Sequence, residues 1–195
     1  MLYGLLRCPV CRTRSSGPDG CCASCATSLF APEVEGTTLS LGIYEGKLER
    51  AIRAYKFHGV RRLSILFGRA LTEALTELEE APDIICAVPL HPLRLIQRGY
   101  NQSALVGRRV ASHTGLPYRP VLQRVRSTRQ QAKLRAEARQ TNISGAFQAK
   151  RLWGERVLLI DDVMTSGATL TECAIELFRS GAGRVYTATL ARAER

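Results

Sequence analysis

Residues Val157 to Leu170 read VLLIDDVMTSGATL. Four consecutive aliphatics suit a short strand buried on both faces of a sheet. Two adjacent carboxylates, Asp161 and Asp162, follow at once, and a core strand has no use for them. Thr165, Ser166, Gly167, Ala168 and Thr169 come next, leading into a helical pattern from Thr169 to Ser180 that stops at Gly181-Ala182-Gly183. In an open parallel sheet, ligands bind beyond the carboxyl ends of the strands, and the acids stand where this strand would end. Adjacent carboxylates there can accept hydrogen bonds from a vicinal diol, such as the ribose 2′- and 3′-hydroxyls, or hold a magnesium ion. A hydroxyl-rich turn into a helix N-terminus offers N–H groups and a favourable dipole to a phosphate. Both features a few residues apart fit a ribose 5-phosphate. A turn whose acids only cap the helix is the plainer alternative. A Walker-B strand is excluded, because GIYEGKL at Gly42 to Leu48 is one residue short of a phosphate loop and lacks its Ser or Thr.

The surrounding chain alternates in the same manner. LSLGIYEG reads as a short strand, and GKLERAIRAYKFHG as an amphipathic helix with Leu48, Ile52 and Tyr55 on one face. A longer helix is predicted from Arg61 to Glu80. DIICAVPL is a buried strand, Ser103 to His113 a helix ending at Gly115, YRPVLQRV a strand and RVYTATLAR the last strand. Aliphatic strands separated by helices predict an α/β fold with a mostly parallel sheet covered on both faces. The polar segment from Arg126 to Gly145 exceeds ordinary connection lengths, which marks it as functional or mobile. Cys86, Cys173 and Trp153 read as packing residues. His58, His91 and His113 read as surface or helix-end residues.

Seven cysteines occur, five of them within the first 25 residues. Cys8-x2-Cys11 and Cys22-x2-Cys25 form two knuckles ten residues apart. Four thiolates on two tight turns can close a tetrahedral zinc site with no open position, which makes the metal structural or recognition-related and not hydrolytic. Redox pairs or a decayed site are the alternatives, and Cys21 competes with Cys22 for the register. The expected organisation is a small four-cysteine zinc module over 1–30, a linker over 31–40 and a main domain over 41–195.

The formal charge is +11, from 28 Lys and Arg against 17 Asp and Glu. Lys47 to Arg69 holds seven basic residues and one acid, and Arg119 to Arg151 nine and one. Clustered positive charge suggests a phosphate-bearing partner, small molecule or nucleic acid, although a solvated basic surface would look alike. Aromatics make up 6%, so no strong base-stacking platform is evident. No apolar run approaches the roughly 18 residues of a membrane helix, and the N-terminus does not read as a signal peptide. A cytoplasmic protein with no membrane insertion is expected.

VLLIDDVMTSGAT resembles the PRPP (phosphoribosyl pyrophosphate) fingerprint of type I phosphoribosyltransferases. YEGKLERAIRAYKFHG, AVPLHPLRLIQRGYNQ with its R-G-Y-N-Q signature, and RVRSTRQQAKLRAEARQTNISGAF are similar to segments of one branch, the ComF (competence protein F) family, whose zinc module the cysteines also resemble. The resemblance implies a Rossmann-like, mostly parallel sheet of the type I phosphoribosyltransferase kind. It implies that Asp161 and Asp162 bind the ribose hydroxyls at the catalytic centre and that Thr165, Ser166, Gly167, Ala168 and Thr169 bind the 5-phosphate. Pro89, Leu90 and His91 would form the pyrophosphate loop, with Arg98, Asn101 and Gln102 as donors. Arg124, Arg129, Gln130, Lys133, Arg135, Arg139 and Asn142 would belong to a flexible loop closing over the site. Mg²⁺ would accompany PRPP, and structural zinc would sit in the cysteines. The implied role is DNA uptake and handling of single-stranded DNA, with DNA-uptake and helicase machinery as partners. The alternative is an active phosphoribosyltransferase on an unidentified acceptor, unrelated to DNA.

Overall fold

The computed structural model describes residues 6–15, 19, 21–126 and 144–194. The aliphatic run becomes the central strand β8, Arg156–Met164, which continues through both acids instead of ending before them. Its neighbours are β9, Arg184–Arg192, and β5, Ile84–Ala87, both parallel to it. Beyond β9 lie β4, Thr38–Ser40, also parallel, and the antiparallel edge strand β3, Glu33–Glu35, giving the order β3-β4-β9-β8-β5. Residues 31–40, expected to be a linker, therefore contribute two strands to the sheet. Thr38–Ser40 overlaps the start of the strand expected in LSLGIYEG, whereas Glu33–Glu35, exposed throughout, carries no alternation to be read from sequence.

Three helices cover one face: α2, Gly46–Phe57; α3, Leu63–Ala74; and α5, Gln102–Thr114. Leu48, Ile52, Tyr55, Phe67, Leu71, Val106 and Val110 pack there against Leu158, Ile160 and Leu190. The predicted helix through Glu80 stops early, with a single 3-10 turn at Leu75–Glu77. α5 ends as expected, with Gly115 in the left-handed conformation at φ +75°. The other face carries α6, Ala168–Arg179, whose Leu170, Cys173 and Leu177 pack on Val157, Leu159 and Val185.

YRPVLQRV departs from its expected place. Only Tyr118 bridges to β5, at Ile85. Leu122–Arg124, strand β6, leaves the main sheet to pair antiparallel with β7, Phe147–Ala149. Pro120 interrupts the run, so its two halves serve different sheets. Trp153, expected to pack, does not. It is 74% exposed, with the Arg151 guanidinium 4.1 Å from its ring centroid, because it sits in the bend before β8 and outside the core. Cys86 and Cys173 are buried, as expected.

The N-terminal part pairs β1, Leu6–Arg7, with β2, Arg14–Ser15, and adds the short α1, Ala23–Thr27. It docks on the main fold. Cys8, Val10, Cys21 and Cys25 belong to the same hydrophobic cluster as α2 and α3. Arg50 donates to the Val10 carbonyl at 3.1 Å, and Lys47 to the Ser28 hydroxyl at 3.0 Å. No helix among the described residues is long and apolar enough to cross a membrane.

Candidate functional site

Strand lengths create the cleft. β5 pairs with Val157–Ile160 and ends at Ala87, whereas β8 runs on to Met164. Val88 still donates to the Ile160 carbonyl at 2.9 Å, after which the chain turns away and leaves Asp161 and Asp162 bare on that side. The cleft is lined by Lys56 of α2, Pro89 and Leu90 after β5, Ser103 of α5, both acids, and Thr165 to Leu170. Three arginines join them: Arg94, Arg98 and Arg124.

The two acids have different surroundings. Asp162 pairs with Lys56 at 2.9 Å. Asp161 accepts from the Ser103 hydroxyl at 3.1 Å and from the Asp162 backbone N–H at 2.8 Å. Burial, reinforced by the adjacent Asp162 charge, pushes the Asp161 carboxyl up to about 7. In the unfolded chain it would titrate near ~4. Between these values the folded state binds the extra proton, so stability falls as pH rises through the window. Thermal denaturation of the ligand-free protein should show this slope from about pH 4 to 7, on the order of a few kcal/mol in total. Asp161→Asn should flatten it; an unchanged slope would contradict the burial of this carboxyl.

Opposite the acids, Gly167 takes a left-handed φ of +74° at the N-cap of α6, so the helix begins with its N–H groups at the cleft wall. Thr165 and Ser166 are in the connection just before it. An anion there would meet a helix N-terminus and hydroxyl donors together.

The R-G-Y-N-Q stretch divides its labour. Asn101 is the N-cap of α5: its side chain accepts from Ala104 N–H at 3.2 Å and donates to the Val88 carbonyl at 2.9 Å. It braces the turn after β5 and also lines the cleft. Gln102 is 1% exposed, accepts from Arg98 at 3.1 Å, and has no partner for its Nε2 amide. A buried donor left unpaired costs about 1–3 kcal/mol. His91 caps the helix α4, Pro92–Arg98, accepting from Leu93 N–H at 3.2 Å. His58 follows the end of α2, and His113 lies in the last turn of α5.

Lys56, Ser103 and Arg94 were not picked out from sequence. Arg94 had no signal, because a seven-residue helix is too short for a periodicity. Of the predicted flexible loop, Arg124 lines the cleft, with the Phe147 ring centroid 5.5 Å from its guanidinium. Arg129, Gln130, Lys133, Arg135, Arg139 and Asn142 lie outside the described residues.

The cysteine sulfurs of Cys8, Cys11, Cys22 and Cys25 all lie within 4.8 Å of one another. A tetrahedral zinc–tetrathiolate centre with bonds of about 2.3 Å needs sulfur separations of roughly 3.8 Å, so this donor set fits a metal with little adjustment. Cys22 is the N-cap of α1 and Cys25 lies in its first turn, which brings the second knuckle onto one face. Arg12 adopts a left-handed φ of +64° just after the first knuckle, closing a tight turn in which its N–H reaches the Cys8 carbonyl. Burial opposes ionisation of Cys8, yet the backbone N–H groups of Cys22, Cys11 and Val10 hold its thiol down at about 6. Cys21 stands outside the four, with its sulfur 3.5 Å from that of Cys8.

Known proteins are similar to this chain over most of its length. No family model matches it. The DNA utilization protein YhgH of Salmonella typhimurium is 30% identical over 192 residues, covering 95% of this chain and 83% of that one. Competence protein F of Haemophilus influenzae is 32% identical over 163 residues, covering 78% and 71%. Among solved structures, the glutamine PRPP amidotransferase from B. subtilis aligns at 22% identity and a TM-score of 0.47, over 67% of this chain and 26% of that one. At this identity and coverage of the first two, the chain belongs to the competence protein F (ComF) family, in which the YhgH proteins are its relatives.

Proposed function

We propose that the cleft binds PRPP or a related ribose phosphate, and that the protein does so in the service of handling single-stranded DNA. The observation that carries this reading is the meeting of two unlike halves in one cleft. Asp161 and Asp162 offer acceptors for a diol, and the α6 N-terminus offers donors for a phosphate. Asp161 and Asp162 take the ribose hydroxyls, and Thr165 to Thr169 the 5-phosphate. Arg94, Arg98 and Arg124 line the same cleft and supply the cations that a pyrophosphate would need. Mg²⁺, bound with such a ligand, would neutralise the pyrophosphate charge. Zinc is the metal that suits Cys8, Cys11, Cys22 and Cys25, and with no open position its contribution is structural.

The DNA role is supported by the names of the relatives, DNA utilization and competence, and by a charge of +11 that exceeds the needs of one small substrate. A second reading, an active phosphoribosyltransferase on an unidentified acceptor, is favoured by the retention of both acids. Displacing pyrophosphate from ribose C1 requires the leaving group to be clamped by cations and water excluded, and the three arginines suit the first task. Calorimetric titration of PRPP with and without Mg²⁺ tests the cleft. Saturable binding strengthened by Mg²⁺ is expected, and no heat under either condition would overturn the reading. Binding of an oligonucleotide should weaken steeply with salt; a flat dependence would remove the electrostatic DNA role.

A further inference from the structure

Two neighbouring residues at the end of α2 serve different surfaces. Lys56 reaches into the cleft and pairs with Asp162 at 2.9 Å. Phe57 is 61% exposed, and the Arg98 guanidinium lies 5.0 Å from its ring centroid. Arg98 also lines the cleft and donates to Gln102 at 3.1 Å. One guanidinium thus stands between an open aromatic ring and the cationic wall of the cleft. Arg94, one helical turn away on the same face of α4, lines that wall too. Leaving Phe57 in water forfeits the burial an aromatic side chain ordinarily gains.

We propose that Phe57 is the stacking platform for a base of a single DNA strand crossing the mouth of the cleft, with a phosphate of that strand resting on Arg94 and Arg98. The inference rests on the cleft being an anion site, as argued above. An open ring offers a π-face and leaves the base edges in water, which suits sequence-tolerant binding of a strand. A base selected for chemistry would instead need an enclosing pocket with polar groups to read its edges. Because Arg98 serves both surfaces, the strand and PRPP compete.

The full-length protein is titrated against a fluorescein-labelled oligothymidylate, read by anisotropy at fixed salt. Phe57→Ala should weaken binding about tenfold or more, and Phe57→Trp should retain it. Trp153→Phe is the control. Trp153 is the more exposed ring but precedes β8, at the opposite end of that strand from the acids, and its substitution should leave affinity unchanged. In the doubly substituted Phe57→Trp, Trp153→Phe protein, the only tryptophan should be quenched by the strand. PRPP with Mg²⁺ should lower strand affinity in the wild type, while Phe57→Ala should leave PRPP binding as it was. Wild-type strand affinity in Phe57→Ala, an unquenched tryptophan, or no strand binding at all would overturn the platform. Phe57-dependent binding of thymidine monophosphate but not of the oligonucleotide would overturn it in favour of a mononucleotide site. Loss of strand binding in Phe57→Ala without competition from PRPP would overturn the sharing of Arg98. If PRPP fails to bind at all, the ribose-phosphate reading falls, and the Phe57 variants still decide the platform.

Discussion

Substituting both acids, Asp161→Asn with Asp162→Asn, is expected to lower PRPP affinity by at least about a hundredfold while leaving DNA affinity unchanged or raised. The magnitude follows from two hydrogen bonds to charged acceptors, each contributing roughly 1.5–3 kcal/mol, exchanged for bonds to neutral amides. Fold loss does not complicate the result. Asparagine keeps the size of the side chain and an acceptor for the Ser103 hydroxyl, and Asp161→Asn removes a carboxylate whose ionisation burial opposes. The opposite sign for DNA follows from charge. Lys56, released from its 2.9 Å partner, joins Arg94, Arg98 and Arg124 in a cleft that has lost the Asp162 charge and the partial charge Asp161 carries near neutral pH. Calorimetry with Mg²⁺ and a salt-titrated DNA shift measure the two effects on one preparation. Retained PRPP binding would show that the acids are not its diol site, and parallel loss of both ligands would point to a general collapse of the cleft.

How much of this site is visible in sequence depends on whether its parts are local. The acids and the turn into α6 are contiguous, so composition and order alone place them at a strand end facing a helix N-terminus. The same holds for α2 and α5, whose apolar spacing and, for α5, terminal Gly115 are short-range signals. What the acids face is set by other elements. Lys56 and Ser103 sit on helices whose burial patterns say nothing about where their polar residues point, and only the packing of α2 and α5 on β8 brings both to the acids. Asn101 and Gln102 show the limit of a motif: two adjacent amides look equivalent, yet one caps a helix while the other is buried against Arg98. The edge of the sheet was illegible for a different reason, since β3 is exposed at all three positions and lacks an inward-facing apolar residue.

Removing one ligand from the cysteine cluster should have the other large effect. Cys8→Ser is expected to take bound zinc from about one per chain to none, whereas Cys21→Ser is expected to keep it. Cys21→Ser is the register test, because Cys8 serves in either register whereas Cys21 competes with Cys22, and Cys8 is its matched control, with a sulfur 3.5 Å away and a side chain equally buried. Cys8 belongs to the set of four mutually close sulfurs, and its thiol is held low by backbone N–H groups; Cys21 is outside that set, and burial followed by the neighbouring Cys8 pushes its thiol up to about 12. Structural zinc contributes roughly 10–16 kcal/mol of apparent binding energy in isolated fingers, and ligands that lose it lose much of the reason to converge. The damage should extend beyond the module, because Cys8, Cys25 and Val10 share a hydrophobic cluster with α2 and α3, and Arg50 of α2 is bonded to the Val10 carbonyl. Hydrogen exchange should therefore speed up in α1 and the first half of α2, and leave β8, β9 and α6 protected. A Cys8→Ser protein that is metal-free yet fully protected in α1 would show the cysteines to be packing residues, and loss of zinc in Cys21→Ser would move the site to the alternative register.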